Sequence, residues 1–323
     1  MSSDHFLVTG ATGCIGSWVL RNLVREGTPV TVLDLDTRHH RLPLVLTGDE
    51  IACIQFIQGD VSDYPTVEKA LKTSGVTHVI HLAALQLPFC KADPVAGARI
   101  NVVGTVNIFE AAKRLGLKKV VYASSTAVYG TSEEYPREPL PNDAPLKPRS
   151  HYGFYKQANE GNAWVYFQDE GFSSIGLRPY VVYGAGRDQG MTSTPTRAIL
   201  AAAASQPYHI TYGGRYCFQY GDDTARAFIQ SARADFTGAG VFNIGGESVS
   251  TTQVIAAIEQ AEPSARGRIT FDDIPLPFPE EVDNRTLVAA IGPLTFTPLA
   301  DGVAETLDIF RRALKAGWIK LEG

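Results

Sequence analysis

The sequence predicts an α/β protein built on a doubly wound parallel sheet, with a smaller C-terminal region over it. Three observations predict this: alternating strand-like and helix-like segments in the first half, a glycine-rich turn after the first strand, and a change of rhythm near Arg178. Short apolar runs at Phe6–Thr9, Val30–Asp34, Ile54–Gln58, His78–His81, Lys119–Ser124 and Ser174–Arg178 are candidate strands. Helical periodicity fills the gaps at Ile15–Glu26, Tyr64–Thr73, Pro94–Leu115 and His151–Glu170. Such alternation predicts βαβ units with helices on both faces of the sheet. The Pro-rich stretch Glu134–Pro148 reads as a surface loop leading into the last of these helices. After Arg178 the segments GAGRDQG, YGGRYC and NIGGES separate shorter elements, and an amphipathic helix at about Asp301–Ala316 closes the chain. Residues 1–178 are therefore expected to form the nucleotide-binding part. Residues 179–323 are expected to form a smaller substrate-binding region, partly interleaved because Val241–Ile244 can add a strand to the sheet.

Composition excludes several function classes. The chain has 323 residues, 44% hydrophobic and 20% charged, enough for a large core. A net charge of −5 offers no basic field for nucleic acid or an anionic membrane. The cluster Arg38-His39-His40-Arg41 is too short to change that. The four cysteines (Cys14, Cys53, Cys90, Cys217) have no metal-ligand spacing and read as reduced, mostly packed thiols, so no metal is expected. MSSDHFLVTG enters a strand with no signal-peptide pattern, and Ala198 to Ala204 is too short to span a bilayer. A cytoplasmic protein is expected.

Residues 6–16 read FLVTGATGCIG, a strand, then Gly10, Gly13 and Gly16, then a helix. Glycines let the backbone turn tightly and approach a pyrophosphate seated on the helix N-terminus. An ordinary strand-to-helix turn is the plainer account, but the position at the head of a βα series is the context that gives the motif meaning. Asp34, ending the second strand, is placed to accept from the adenosine ribose hydroxyls and to repel a 2′-phosphate, which points to NAD. Alternatively, Asp34 caps a turn and Arg38 or Arg41 serves NADP. Asp60 and Val61 frame the adenine, or Asp60 is a solvated turn residue.

Tyr152 and Lys156, in HYGFYK, lie four residues apart and so on one face of a helix. A phenol has a pKa near 10, and a neighbouring ammonium lowers it toward that of a usable acid/base.

Taken together these residues resemble the extended short-chain dehydrogenase/reductase family, also called the NAD-dependent epimerase/dehydratases, over nearly the whole chain. TGATGCIG resembles the family's phosphate turn, HLAA (His81–Ala84) the strand end beside the nicotinamide, and Asn101 the asparagine of its long dimer-forming helix. YASSTAVYG resembles the strand that carries the family's serine or threonine, and YGFYKQANE its tyrosine–lysine helix, with Tyr155 where a serine or threonine is usual. The resemblance implies a Rossmann-type fold and NAD bound by Gly10, Thr12, Gly13, Cys14, Ile15, Gly16, Asp34, Asp60, Val61, Leu82, Ala83, Ala84, Asn101, Tyr152 and Lys156. It implies Tyr152 as proton donor/acceptor, Ser125 bonded to the reacting oxygen, and Lys156 lowering the Tyr152 pKa. Ser124 and Thr126 are the competing registers for Ser125. Helices Pro94–Leu115 and His151–Glu170 would pair with their copies in a homodimer.

The same resemblance narrows the reaction. Sugar dehydratases carry an Asp-Glu pair where this chain has Thr126 and Ala127, so dehydration is not expected. Nucleotide-sugar epimerases usually carry R-x-x-N after the sixth strand, but Arg178-Pro179-Tyr180-Val181 ends in valine. Their diphosphate-clamping arginine has no counterpart in Tyr216–Gly221, with Arg215 one place early. Leu85–Phe89, Ser125–Ala127, Tyr180–Val182, Gly190–Ser193 and Tyr216–Tyr220 are the expected pocket walls. Thr126, Tyr180, Val181, Arg187 and Arg215 are candidate substrate residues, although Arg187 also reads as a solvated loop charge. The favoured expectation is an NAD-dependent dehydrogenase of a free sugar, sugar acid, lactone or polyol. The alternatives are an NAD-dependent sugar or nucleotide-sugar epimerase, or a non-catalytic dinucleotide sensor.

Overall fold

Strands β1 (Phe6–Thr9), β2 (Val30–Asp34), β3 (Gln55–Gln58), β4 (His78–His81), β5 (Lys119–Ala123) and β6 (Ser173–Arg178) alternate with helices. β7 (Val181–Tyr183), β8 (Tyr208–Ile210), β9 (Arg215–Tyr220), β10 (Ala239–Asn243), β11 (Glu247–Ser250) and β12 (Ile269–Phe271) follow. The helices are α1 (Cys14–Arg25), α2 (Leu42–Val45), α3 (Gly48–Ala52), α4 (Tyr64–Ser74), α5 (Leu87–Ala92), α6 (Pro94–Ala98) and α7 (Gly104–Arg114). After them come α8 (His151–Glu170), α9 (Thr194–Ala203), α10 (Gly221–Arg233), α11 (Thr251–Ala261), α12 (Arg285–Ile291) and α13 (Leu299–Ala316). The structure is a computed structural model and describes residues 4–36, 39–136 and 139–320; Arg38 lies outside the described residues.

Seven parallel strands form the main sheet in the order β10-β6-β5-β4-β1-β2-β3. Both faces of the central strands are buried, so alternate residues of β1 enter different cores. Phe6 and Val8 pack in one with Trp18, Leu20 and Phe228, while Leu7 packs in the other with Ile108, Phe109 and Tyr122. This is why these strands read as continuous apolar runs. The strand order reverses beside β1, and in such sheets the cleft at that switch point, beyond the strands' carboxyl ends, takes the ligand.

The chain after Arg178 returns once to this sheet, where β10 pairs with β6. The rest builds a three-stranded sheet, β11-β9-β7, and the pair β12-β8. Most expected elements differ from the observed ones by a residue or two at the ends, where helices and strands fray. The expected single helix Pro94–Leu115 is different. It is interrupted by a π turn over Arg99–Val103. There the carbonyl of Asn101 accepts from both Thr105 Oγ1 (2.7 Å) and Asn159 Nδ2 (2.9 Å), partners outside the normal helical ladder.

Among the described residues, no helix is long and apolar enough to cross a membrane, and no group of His, Cys, Asp and Glu could hold a metal ion. All four cysteines are free thiols; Cys90 and Cys217 are buried and Cys53 is exposed.

Candidate active site

One cleft of about 530 Å³ runs over the carboxyl ends of the strands, from the Gly10–Gly16 turn to Thr192 and Phe278. At its nucleotide end, Gly10 has φ +65°, and a Cβ there would lie 2.5 Å from the backbone nitrogen of Ala83. Only glycine permits that close approach of the segments following the parallel neighbours β1 and β4. The N-terminus of α1 begins at Gly13 with no capping side chain and no acid in its first turn. Its unpaired N–H groups and partial positive charge suit a pyrophosphate.

Asp34 holds this turn. Its Oδ2 accepts from Thr12 N (3.0 Å) and Thr12 Oγ1 (2.8 Å), and its Oδ1 from Asp36 N (3.2 Å). The carboxylate therefore both caps the loop and faces the cleft. Arg41 is bound elsewhere, bidentate to Asp188 (2.8–3.1 Å) and to the Thr12 carbonyl (3.3 Å). Asp60 caps its own turn through Ser62 N (2.8 Å) and lines the cleft with Val61, Leu82, Ala83 and Ala84.

Asn101 does not reach the cleft. It is 1% exposed and clamps the backbone of Leu85, accepting from its N–H (2.7 Å) and donating to its carbonyl (2.9 Å). An expected cofactor contact is thus a support of the Leu85–Phe89 wall, reached from within the π turn.

At the catalytic end, Ser125 follows β5 and caps the turn Thr126–Val128, its Oγ accepting from Ala127 N (3.1 Å). Helix α8 starts at Ser150, whose Oγ caps Gly153 N (3.1 Å). A Cβ on Gly153 would collide with the Ala127 carbonyl, so this glycine lets α8 press Tyr152 against the Ser125 turn. Tyr152, Ser125 and Lys156 all line the cleft, with the Lys156 ammonium 5.6 Å from the Tyr152 ring centroid. The ammonium donates to the Ala123 carbonyl (2.7 Å).

The electrostatics differ from the expectation for Tyr152. Burial pushes its phenol above the ordinary value, while the Ser125 hydrogen bond and the Arg187 charge pull the other way. Burial also lowers Lys156, to about 8, leaving it mostly charged at neutral pH. One of the three ammonium donors of Lys156 is directed at Ala123 O, and burial remains the dominant influence on the phenol.

The substrate end is walled by Leu85–Phe89, Ser125–Ala127, Tyr180–Val182 and Gly190–Thr192, with Phe278 in addition. Tyr216–Tyr220, expected there, lie in β9 and the core instead, and Ser193 is absent from the lining. Their alternation of large side chains serves packing: Tyr183 stacks on Phe218 at 4.0 Å between centroids. Arg215 is outside the cleft, donating to Ser248 O (2.6 Å) and Gln253 Oε1 (3.2 Å). Thr126, Tyr180, Val181 and Arg187 are inside. Arg187 donates to Thr192 Oγ1 (2.9 Å), and its buried Nε has no partner.

Two features escaped sequence reasoning. Arg178 and Glu160 form a buried bidentate ion pair (2.7 and 2.8 Å) behind the site. Glu160 lies four residues after Lys156, a spacing that signals a shared helix face. The second, Arg41 with Asp188, joins positions 147 residues apart and leaves no local signal.

The model of the NAD dependent epimerase/dehydratase family matches residues 6–245. UDP-glucose 4-epimerase of Mycolicibacterium smegmatis is 30% identical over 321 residues, covering 94% of this chain and 98% of that protein. UDP-glucuronate 4-epimerase of Thermodesulfobacterium geofontis is 29% identical over 275 residues, 79% of this chain and 80% of the other. Among solved structures, Thermus thermophilus UDP-glucose 4-epimerase in complex with NAD aligns with a TM-score of 0.80 at 26% identity, covering 96% of this chain and 99% of that one.

Proposed function

The chain belongs to the NAD-dependent epimerase/dehydratase family, and on that premise we propose that it oxidises a secondary alcohol of a small sugar-like substrate. The favoured substrates are a free sugar, sugar acid, lactone or polyol. Residues 1–178 hold the cofactor and residues 179–323 cover the substrate. Gly10, Thr12, Gly13, Cys14, Ile15 and Gly16 hold the pyrophosphate. Asp34, Asp60 and Val61 hold the adenosine, and Leu82–Ala84 flank the nicotinamide. When bound, NAD supplies the hydride acceptor and a positive ring that favours the Tyr152 phenolate. Tyr152 takes the proton of the substrate hydroxyl, Ser125 hydrogen-bonds that oxygen, and charged Lys156 holds the nicotinamide ribose and supports the phenolate.

The observation that carries this reading is the charge at the substrate end. Among the described residues lining the cleft there, Arg187 is the one guanidinium not engaged by a carboxylate, since Arg41 is bound to Asp188 and Arg215 is outside. A diphosphate calls for several charge-assisted donors; one cation suits a hydroxylated or singly charged molecule. The second reading, a nucleotide-sugar epimerase, is supported by the M. smegmatis relative, which aligns over almost the whole chain.

Proton NMR of the protein with NAD⁺ and a panel of free sugars, sugar acids and UDP-sugars separates the two. NADH with an oxidised free sugar or acid is the expected result. A UDP-sugar converted to its epimer without net NADH would replace it with the second reading.

We also propose a homodimer through α8 and the Pro94–Arg114 stretch, in keeping with a cytoplasmic enzyme. Val95 is 80% exposed, and Phe154, Trp164 and Val165 on α8 are about half exposed. Apolar side chains grouped like this are the usual mark of an interface. Light scattering at micromolar concentration should give twice the 34.9 kDa chain mass, and Trp164→Glu should shift it toward one.

A further inference from the structure

We propose that Arg41 and Asp188 act as a strap across the dinucleotide cleft and set how fast NAD leaves. The two residues come from opposite walls. Arg41 precedes α2, on the β2 side, and Asp188 lies in the loop after β7. Their bidentate pair, with Nε–Oδ2 at 3.0 Å and Nη2–Oδ1 at 2.8 Å, is joined by His40 Nε2 at 3.5 Å from Asp188. Both residues line the cleft.

The strap passes over the phosphate turn. Arg41 Nη1 also donates to the Thr12 carbonyl (3.3 Å). A Cβ on Gly186 would lie 3.5 Å from Ser17 Oγ, 3.6 Å from Arg41 Cδ and 3.7 Å from Cys14 Cα, so the loop rests on the N-terminus of α1. Trp18 Nε1 anchors it from beneath by donating to Ala185 O (3.0 Å). A dinucleotide seated on Gly10–Gly16 would lie beneath this bridge, so that the pair would have to part for its release. A bidentate guanidinium–carboxylate pair has more strength and geometric specificity than a single surface contact, and with Asp188 about half exposed it remains sensitive to salt.

NADH release is the direct test, read by stopped-flow fluorescence as bound NADH is chased with excess NAD⁺. Asp188→Asn should speed release about fivefold, the effect of losing about 1 kcal/mol. Arg41→Gln should do the same. The double variant should release no faster than either single one, because both remove the same closure. Raising salt should speed release from the wild-type chain more than from Asp188→Asn. Release that is unchanged or slower in Asp188→Asn would overturn the strap, the slower case making Arg41 a pyrophosphate ligand that Asp188 holds back. Additive effects of the two substitutions would overturn it as well.

Discussion

Tyr152→Phe should lower turnover by about 10³-fold while NAD affinity stays within a factor of about three, since positioned proton transfer contributes on the order of 10²–10⁴ in rate. The substitution removes one oxygen and keeps the ring, so the packing of α8 on the Ser125 turn is preserved. Burial holds the Tyr152 phenol above its ordinary value, and Ser125 and Arg187 are the groups that oppose this. On the proposed mechanism, losing that oxygen removes the acceptor of the substrate proton beside Ser125 and Lys156, which line the same cleft. Measuring kcat beside a fluorescence titration with NADH checks both halves. A variant that keeps wild-type turnover would move the proton-transferring role to another residue.

The second large effect is on stability. Arg178 donates through Nε and Nη2 to Glu160 and through Nη1 to Tyr129 Oη (2.5 Å) and Asn142 O (3.0 Å). Glu160 in turn accepts from Ser124 Oγ (2.5 Å), next to Ser125. The pair thus ties α8 to β5 and β6 directly behind the catalytic end. Arg178→Met strands a buried carboxylate and should cost about 3–5 kcal/mol. Glu160→Gln/Arg178→Met should lose less, because the amide keeps an acceptor for Ser124 and leaves no charge unpaired. Chemical denaturation of the two variants compares them; equal losses would show that the stranded charge is not what destabilises.

Much of the site could be read from local patterns because its chemistry is local. The phosphate turn needs Gly10, Gly13 and Gly16 within a few residues of a strand end and a helix start, and the Tyr152–Lys156 spacing is one helical turn. The cleft gathers these with Ser125, Thr126, Asp34, Asp60 and Arg187, which sequence reasoning also named. The misplaced residues failed for a common reason. Asn101, Arg215 and Tyr216–Tyr220 have the right chemistry at the right distance along the chain, but which way each side chain faces depends on neighbours. A π turn aims Asn101 at Leu85, and pairing with β7 and β11 places β9 in the core.

The sequence by itself determined the parallel sheet, the nucleotide turn and the tyrosine–lysine face, since each follows from periodicity or from spacings shorter than one element. Only the tertiary structure decided which cations remain for a substrate, that Lys156 is turned to Ala123, and that Arg41 meets Asp188 across the cleft. Those outcomes depend on burial and on which acceptor, carboxylate or carbonyl, lies within hydrogen-bonding reach, and both are set by residues far apart in the chain.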